Sequence, residues 1–204
     1  MKKKLSAPLL AGLMIGIFGT ANAALLAPVS VSGTGTFSNI DYMTDGIIPS
    51  EGSYWRGDTT WWYYTPPQFT VDYGGIFLIE DIVVSVDNND YYRIEYSLDF
   101  TNWNVLTAID AWDGEIYGGM DTMSSVSGDS EYLAAIDFNG VTAQYLRIFA
   151  TDGDSQYAVG ELQAYGTSPI PEPATMLLFG VGMAGLVGRK LRKAKKIGEG
   201  MGMC

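Results

Sequence analysis

The middle of the chain alternates apolar and polar residues with a period of two. Phe69, Val71 and Tyr73 alternate with Thr70 and Asp72, and the segment 92–98 repeats the pattern. Further apolar runs lie at 76–86, 145–150 and 159–165, and Asp, Asn and Gly residues separate the runs. Short alternating segments bounded by turn residues are typical of strands, and no long segment here has a helical period. The sequence therefore predicts an all-β sandwich at 24–168.

The N-terminus has the three parts of a secretory signal peptide. Lysines at 2–4 precede an apolar stretch at 5–18, and Ala21 and Ala23 form an A-x-A cleavage site. We therefore predict that residues 1–23 are a signal peptide and that the exported chain begins at Ala24. An uncleaved membrane anchor is the alternative interpretation.

The C-terminus combines a short motif, an apolar run and a basic cluster. Pro171, Glu172 and Pro173 precede the apolar run 174–188, and six basic residues follow within 189–196. As a helix the run spans about 22 Å, which is short of the ~30 Å hydrocarbon core. The positive-inside rule places the basic end in the cytoplasm. The sequence thus predicts one short transmembrane helix at about 174–188.

These three parts together resemble a PEP-CTERM protein-sorting domain, which here covers residues 169–196, with 197–204 as a short cytoplasmic tail. The resemblance implies an exported protein of a Gram-negative bacterium that an exosortase recognises and cleaves near the motif. It implies anchoring in the inner membrane before processing, and the cell surface or extracellular matrix afterwards. The family is associated with exopolysaccharide and biofilm production. A plain single-span anchor that is never processed is the alternative.

The predicted exported domain is strongly acidic. It contains 21 acidic residues and only three basic ones, Arg56, Arg93 and Arg147, which gives a formal charge of −18. This charge repels nucleic acid, so we predict no nucleic-acid partner. Solubility and cation binding remain as two explanations of the acidic surface.

The residue types of common nucleophilic enzymes are missing from the domain. The chain contains no histidine, and its one cysteine is Cys204. The domain therefore has no disulfide, and Ser-His or Cys-His catalysis is excluded. We predict that the protein is not an enzyme. A glycosidase that uses two carboxylates is the weakest alternative.

Four motifs in a fixed order carry a second resemblance. They are Val71-Asp72-Tyr73-Gly74, Tyr96-Ser97-Leu98-Asp99-Phe100-Thr101-Asn102-Trp103, Tyr145-Leu146-Arg147-Ile148 and Glu161-Leu162-Gln163-Ala164-Tyr165-Gly166. Residues 34–166 thereby resemble the discoidin, or coagulation-factor type C, family of galactose-binding-like domains. The resemblance implies an eight-stranded jelly-roll β-sandwich, and in its sugar-binding members the ligand lies on loops at one end of the sandwich.

The discoidin resemblance also implies one structural calcium ion. An early Asp-Gly loop and a Glu near the last strand approach each other in the family, and they match Asp45 and Glu161 here. Thr59 matches a further ligand loosely. Calcium takes six to eight oxygen ligands and tolerates irregular geometry. The alternative is that Asp45 is only a turn residue before Gly46.

Three other polar features have structural interpretations. Asp87-Asn88-Asn89-Asp90 and Asp152-Gly153-Asp154 look like metal loops. Both lack the twelve-residue loop and the final Glu that bind calcium in an EF-hand. This difference favours the interpretation that both segments are simple turns. Arg147 lies among apolar neighbours in a strand, and we predict that it pairs with a carboxylate rather than with a ligand.

A group of aromatic residues is the main candidate for ligand binding. It comprises Tyr54, Trp55, Trp61, Trp62 and Tyr63, and Trp112 is a second candidate further along the chain. Neighbouring residues of an extended chain point to opposite sides, so some of these rings are expected at the surface. Exposed aromatic patches usually mark binding sites for a ligand or a partner. Sugar rings stack on the faces of Trp and Tyr side chains. The alternative is a loop that covers the core.

Together these features predict an exported, exosortase-sorted protein whose β-sandwich binds carbohydrate, either exopolysaccharide or another surface glycan. The alternative is a structural matrix or surface-layer component that self-associates or binds protein without sugar specificity.

Overall fold

The computed structural model describes residues 23–64 and 67–168, and these form an all-β structure, as the alternation predicts. Nine strands follow in chain order: β1 Ala24–Leu25, β2 Ser30–Gly33, β3 Thr60–Tyr63, β4 Phe69–Asp87, β5 Tyr91–Ser97, β6 Asn104–Ile109, β7 Met120–Ser124, β8 Val141–Asp152 and β9 Gln156–Thr167. A single 3₁₀ turn at Ile40–Met43 lies between β2 and β3. All nine strands lie within the predicted exported domain.

Strand β4 organises the sheet because its two halves pair with different neighbours. All strand pairs are antiparallel, in the order β1-β9-β4-β8-β5-β6, with β2 and β7 also on β4 and β3 on β9. The first half of β4 pairs with β2 and β8, and the second half with β9 and β7. The register with β8 shifts between Asp72 and Phe77, where Gly74 has φ 72°. A bulge at such a glycine bends the strand, and here it separates the two halves of β4 that pair with different neighbours.

The inward side chains of both halves of β4 share one core. Phe69 and Val71 from the first half join Ile82 and Val84 from the second, together with residues of β5, β8 and β9. Each fully buried side chain of this size contributes about 1.5–3 kcal/mol. In a domain without disulfides, this packing is the main source of stability.

The carboxylate partner that the sequence predicts for Arg147 is Glu95. The two residues lie opposite each other on β8 and β5, and the Arg147 guanidinium forms a salt bridge with the Glu95 carboxylate. The pair lies on the outer face of the sheet, since the neighbours Leu146 and Ile148 point into the core.

Several predictions fall on residues outside the described ranges. These are the signal peptide up to residue 22, with Ala21, and everything from residue 169 onwards, with Pro171, Glu172, Pro173 and the transmembrane helix at 174–188. Among the described residues, no helix has the length and apolar character needed to cross a membrane.

Candidate functional site

Strand β3 presents alternate aromatic residues to the core and to the surface. Thr60 and Trp62 are buried, whereas Trp61 is half-buried and Tyr63 is exposed. The strand pairs with β9 through Thr60–Val159 to Tyr63–Gln156, which fixes which side faces the core. Trp61 and Tyr63 therefore share the outward face of β3.

The rings of Trp55, Trp61 and Tyr63 pack against one another edge to face. Their three centroid distances are between 5.6 and 5.9 Å. Tyr54 adds an exposed ring 5.8 Å from Trp55. We refer to Tyr54, Trp55, Trp61 and Tyr63 as the aromatic cluster. Four of the six rings predicted for ligand binding thus come together at the surface.

Trp62, which is also predicted to bind ligand, faces the core and not the outward side of β3. Its side chain is 1% exposed, and its ring packs on Phe69 and Tyr157 with centroid distances of 4.8 and 5.7 Å. Because neighbours on a strand point to opposite sides, Trp61 and Trp62 cannot both be at the surface. Trp62 is a core residue.

Arg56 covers part of the aromatic cluster. Its guanidinium carbon lies 4.3 Å from the centroid of the Trp61 ring, and its Nη1 donates to the Tyr63 hydroxyl at 3.2 Å. A cation over an aromatic face is attracted by the ring quadrupole. Arg56 therefore covers part of the Trp61 ring and contacts the Tyr63 hydroxyl.

A groove of about 670 Å³ lies beside the aromatic cluster. Its lining comprises Gly35, Thr36, Phe37, Ser38, Trp61, Trp62, Tyr63, Tyr64 and Pro67. The volume is in the range of small-molecule sites, which are concave and mostly apolar. None of the described residues that line the groove is a carboxylate, so these residues offer no acid pair for glycoside hydrolysis.

Tyr64 is a groove residue absent from the predicted binding set. Its side chain is exposed, and its backbone has φ 61°, in the left-handed region that a tyrosine rarely adopts. Its backbone N–H donates to the Ser155 carbonyl at 3.1 Å, which holds this conformation. Tyr64 could have been predicted as a binding residue from the sequence, because it directly follows Tyr63 in the same aromatic run.

Trp112 lies apart from the groove, in the loop between β6 and β7. It is 74% exposed and stacks on Tyr117, which is 71% exposed, with a centroid distance of 5.1 Å and an angle of 11°. The structure thus leaves Trp112 at the surface. Nothing in the sequence indicated that Tyr117, five residues further on, stacks on Trp112.

The structure brings Asp45 and Glu161 together. The Gly46 N–H donates to Glu161 Oε2 at 3.3 Å, and both acidic residues line a cavity of about 240 Å³. Burial raises the pKa of Glu161 to about 7, against the hydrogen bonds from Gln163 and Gly46, and the nearby Asp45 charge adds to the rise. Asp45 Oδ1 also accepts from the Ile47 N–H at 2.9 Å, as in the alternative turn interpretation.

Thr59 lies next to the start of β3 and is buried, and its hydroxyl donates to the Trp55 carbonyl. Thr60 pairs with Val159, two residues before Glu161. Among the described residues, no hydrogen bond joins the Thr59 hydroxyl to either carboxylate of the Asp45–Glu161 pair, and Thr59 does not line their cavity. Calcium at this pair stays a prediction.

Three further carboxylates cluster on the surface. Oxygens of Glu51, Glu115 and Glu131 lie within 4.8 Å of one another. Desolvation and the Glu131 carboxylate raise the pKa of Glu51. Exposed acidic groups commonly cluster without an ion, and we assign no ligand to them.

The chain carries a PEP-CTERM protein-sorting motif: the family model of that description matches residues 169–193. The resemblance to a PEP-CTERM sorting domain is thereby confirmed. The motif implies export and a membrane-anchored sorting signal. No curated protein matches the sequence.

Solved structures similar to this chain include carbohydrate-binding modules of family CBM32. The CBM32 of AlyQ, in complex with 4,5-unsaturated mannuronic acid, has 16% identity and a TM-score of 0.47 over 69% of this chain and 97% of that one. The CpGH89CBM32-6 module of Clostridium perfringens has 19% identity and a TM-score of 0.43 over 67% and 92%. Chitosan-binding module 1 of a chitosanase/glucanase from Paenibacillus sp. IK-5 has 19% identity and a TM-score of 0.46 over 70% and 99%.

Proposed function

We propose that the exported domain binds carbohydrate in the groove beside the aromatic cluster. The observation that carries this proposal is the placement of Trp61, Tyr63 and Tyr64, whose rings line one concave surface of about 670 Å³. The apolar face of a sugar ring stacks on such aromatic rings, while its hydroxyls hydrogen-bond to neighbouring polar groups. The groove lies on the all-β structure of the described residues, and in this proposal the domain is a jelly-roll sandwich of the galactose-binding-like type.

The ligand of this proposal is an exopolysaccharide or another surface glycan. The sorting motif at 169–193 supports an extracytoplasmic role. In this scheme the protein is exported by its signal peptide and held in the inner membrane by its C-terminal helix. An exosortase then processes it, and the domain acts at the cell surface or in the extracellular matrix.

A glycan array with the domain 24–168 tests the binding and identifies the sugar. Replacing Trp61 with alanine is expected to weaken binding of the selected glycan at least tenfold, because it removes a stacking surface; this corresponds to about 1.4 kcal/mol. The matched control is Trp112→Ala, which removes an exposed ring outside the groove and is expected to leave affinity unchanged. Thermal unfolding of both variants checks that the fold is intact.

Two results would contradict carbohydrate binding in the groove. Loss of binding in Trp112→Ala but not in Trp61→Ala moves the site to the Trp112–Tyr117 pair. A blank array with folded domain favours the structural-matrix alternative, and concentration-dependent assembly in light scattering then identifies self-association.

We also propose that Asp45 and Glu161 bind one structural calcium ion. Chelation is expected to lower the thermal midpoint by about 5 °C or more, and added calcium to restore it, because a ligand that binds only the native state stabilises it. In Glu161→Gln the calcium-dependent shift should shrink, since a buried carboxylate ligand is replaced by a neutral amide. An unchanged shift in this variant excludes Glu161 as a ligand.

A further inference from the structure

Two acidic turns that are far apart in the sequence face each other in the structure. The β4–β5 turn ends at Asp90, and the β8–β9 turn contains Gly153 and Asp154. The Asp154 N–H donates to Asp90 Oδ1 at 3.0 Å, and Asn89 Nδ2 donates to Asp154 Oδ2 at 3.2 Å. A Cβ atom at Gly153 would lie only 1.9 Å from Asp90 Oδ1, so only glycine permits this approach. The two segments are turns, as predicted, and they also form one acidic cluster.

The central carboxylate of this cluster is buried without adequate hydrogen bonds. Asp90 is 0% exposed, and its Oδ2 has no hydrogen-bond partner within the described residues. Asp87 is 3% exposed, and Gly119 N–H is its one recorded donor, at 3.2 Å. Burial raises the pKa of Asp90 to about 7 and that of Asp87 to about 6, and other nearby carboxylates add to both shifts. Buried carboxylates are normally paired or bound to metal.

Asp121 shows that this fold can satisfy a buried carboxylate with its own donors. Asp121 is also fully buried. Its Oδ2 accepts from Asn88 Nδ2 at 2.7 Å and from the N–H groups of Glu115 and Ile116 at 3.0 and 3.3 Å. Its Oδ1 accepts from its neighbour's N–H at 2.9 Å. Asp90 accepts one hydrogen bond from a backbone N–H where Asp121 accepts four from N–H groups, and the Tyr92 hydroxyl lowers the pKa of Asp90 only in part against its burial. The Asp90 charge therefore needs compensation of another kind.

The domain has no basic side chain to provide that compensation. Of its three arginines, Arg147 pairs with Glu95 and Arg56 stacks on Trp61. Arg93 is exposed, and within residues 23–64 and 67–168 no arginine forms a salt bridge with Asp87 or Asp90. A neutralising positive charge has to come from solution.

We propose that Asp87 and Asp90 bind a divalent cation of the calcium type beneath the β4–β5 and β8–β9 turns. The Asn88 side-chain oxygen, between them in the chain, is likewise buried without a partner among the described residues, while the Asn88 amide nitrogen donates to Asp121 Oδ2 at 2.7 Å. Carboxylate and amide oxygens, without nitrogen or sulfur, suit calcium among the common protein metals. This site uses no residue of the Asp45–Glu161 pair and does not depend on carbohydrate binding.

Calcium titration by calorimetry tests the site on the full chain in nonionic detergent after chelator treatment. Three variants separate the possibilities: Asp90→Asn, which keeps the shape but removes the charge; Glu161→Gln, which disables the other calcium candidate; and Asp110→Asn, a matched control at an exposed carboxylate. We expect Glu161→Gln to retain one bound calcium, and Asp90→Asn in that background to weaken it at least tenfold. Asp110→Asn should change nothing.

Two results overturn the proposal. One is a Glu161→Gln protein that binds no calcium. This result needs no Asp90 variant, so it overturns the proposal even if Asp90→Asn fails to fold. The other is unchanged calcium affinity in the Asp90→Asn, Glu161→Gln protein together with a higher thermal midpoint in chelator. That pattern assigns the neutralisation of Asp90 to a bound proton.

Discussion

Trp62→Ala is expected to destabilise the domain by about 3–5 kcal/mol, whereas Trp61→Ala, its neighbour in the chain, is expected to cost far less. The Trp62 ring is buried among Phe69, Tyr92 and Tyr157, with centroid distances of 4.8, 6.5 and 5.7 Å. Its removal leaves a cavity that the surrounding strands cannot close. Trp61 lies on the outward face of β3, where solvent fills the space that its ring leaves.

Urea denaturation of both variants measures this difference as the change in unfolding free energy. Trp62→Phe is the control for volume, because it keeps a ring in the core and removes a buried indole N–H that has no partner in the described residues. We expect it to be much less destabilising than the alanine variant. Equal losses for Trp61→Ala and Trp62→Ala would contradict the inward and outward assignment of β3.

The inward position of Trp62 shows what an aromatic run can and cannot predict. Period-two geometry requires Trp61 and Trp62 to point to opposite sides, but it does not say which side is the core. That choice depends on the pairing of β3 with β9, in which Trp62 lies opposite Tyr157. Strand pairing between segments almost a hundred residues apart is not written in local alternation.

Strand β4 illustrates a related limit. The sequence shows two separate apolar segments on either side of Gly74 and Gly75, and both are correctly predicted as strands. The structure joins them into the single strand Phe69–Asp87, which changes partners at the bulge. Two glycines are equally compatible with a turn and with a bulge, so only the partner strands distinguish the two.

Some contacts between distant loops could be predicted from the sequence, and others could not. The approach of Asp45 to Glu161 followed from the discoidin resemblance, and the Gly46 N–H to Glu161 hydrogen bond realises it. The approach of Asp90 to Asp154 had no such source, because each turn was explained fully by its own local residues. Burial of Asp90 depends on how two hairpin ends meet, and local sequence does not encode that.

The partner carboxylate of Arg147 was predictable in kind but not in identity. A charged side chain among apolar strand residues requires compensation, and that requirement is visible in the sequence. Its identity as Glu95 depends on the register of β5 and β8, in which the two residues lie directly opposite each other. Gln68 adds a hydrogen bond from Arg147 Nη1 at 3.2 Å, and the Trp103 ring lies 4.1 Å from the guanidinium carbon.

Arg147→Ala is therefore expected to cost about 3 kcal/mol of unfolding free energy. The substitution leaves the Glu95 carboxylate, which is buried, without its partner, and it removes the cation from the Trp103 ring. Arg93→Ala is the matched control and should cost under about 0.5 kcal/mol of unfolding free energy. Arg93 is exposed, lies on the same face of β5 as Glu95, and forms no salt bridge in the described part of the chain.

Urea denaturation at low and high salt distinguishes a partly buried pair from a surface one. The cost of Arg147→Ala should persist at high salt, because ions in solution screen a partly buried pair much less than an exposed one. Replacing Glu95 as well, in Arg147→Ala, Glu95→Gln, should recover part of the loss, since the unpaired buried charge is then gone. If Arg147→Ala is no more costly than Arg93→Ala, or if the second substitution adds to the loss, the pair does not stabilise the sheet in this way.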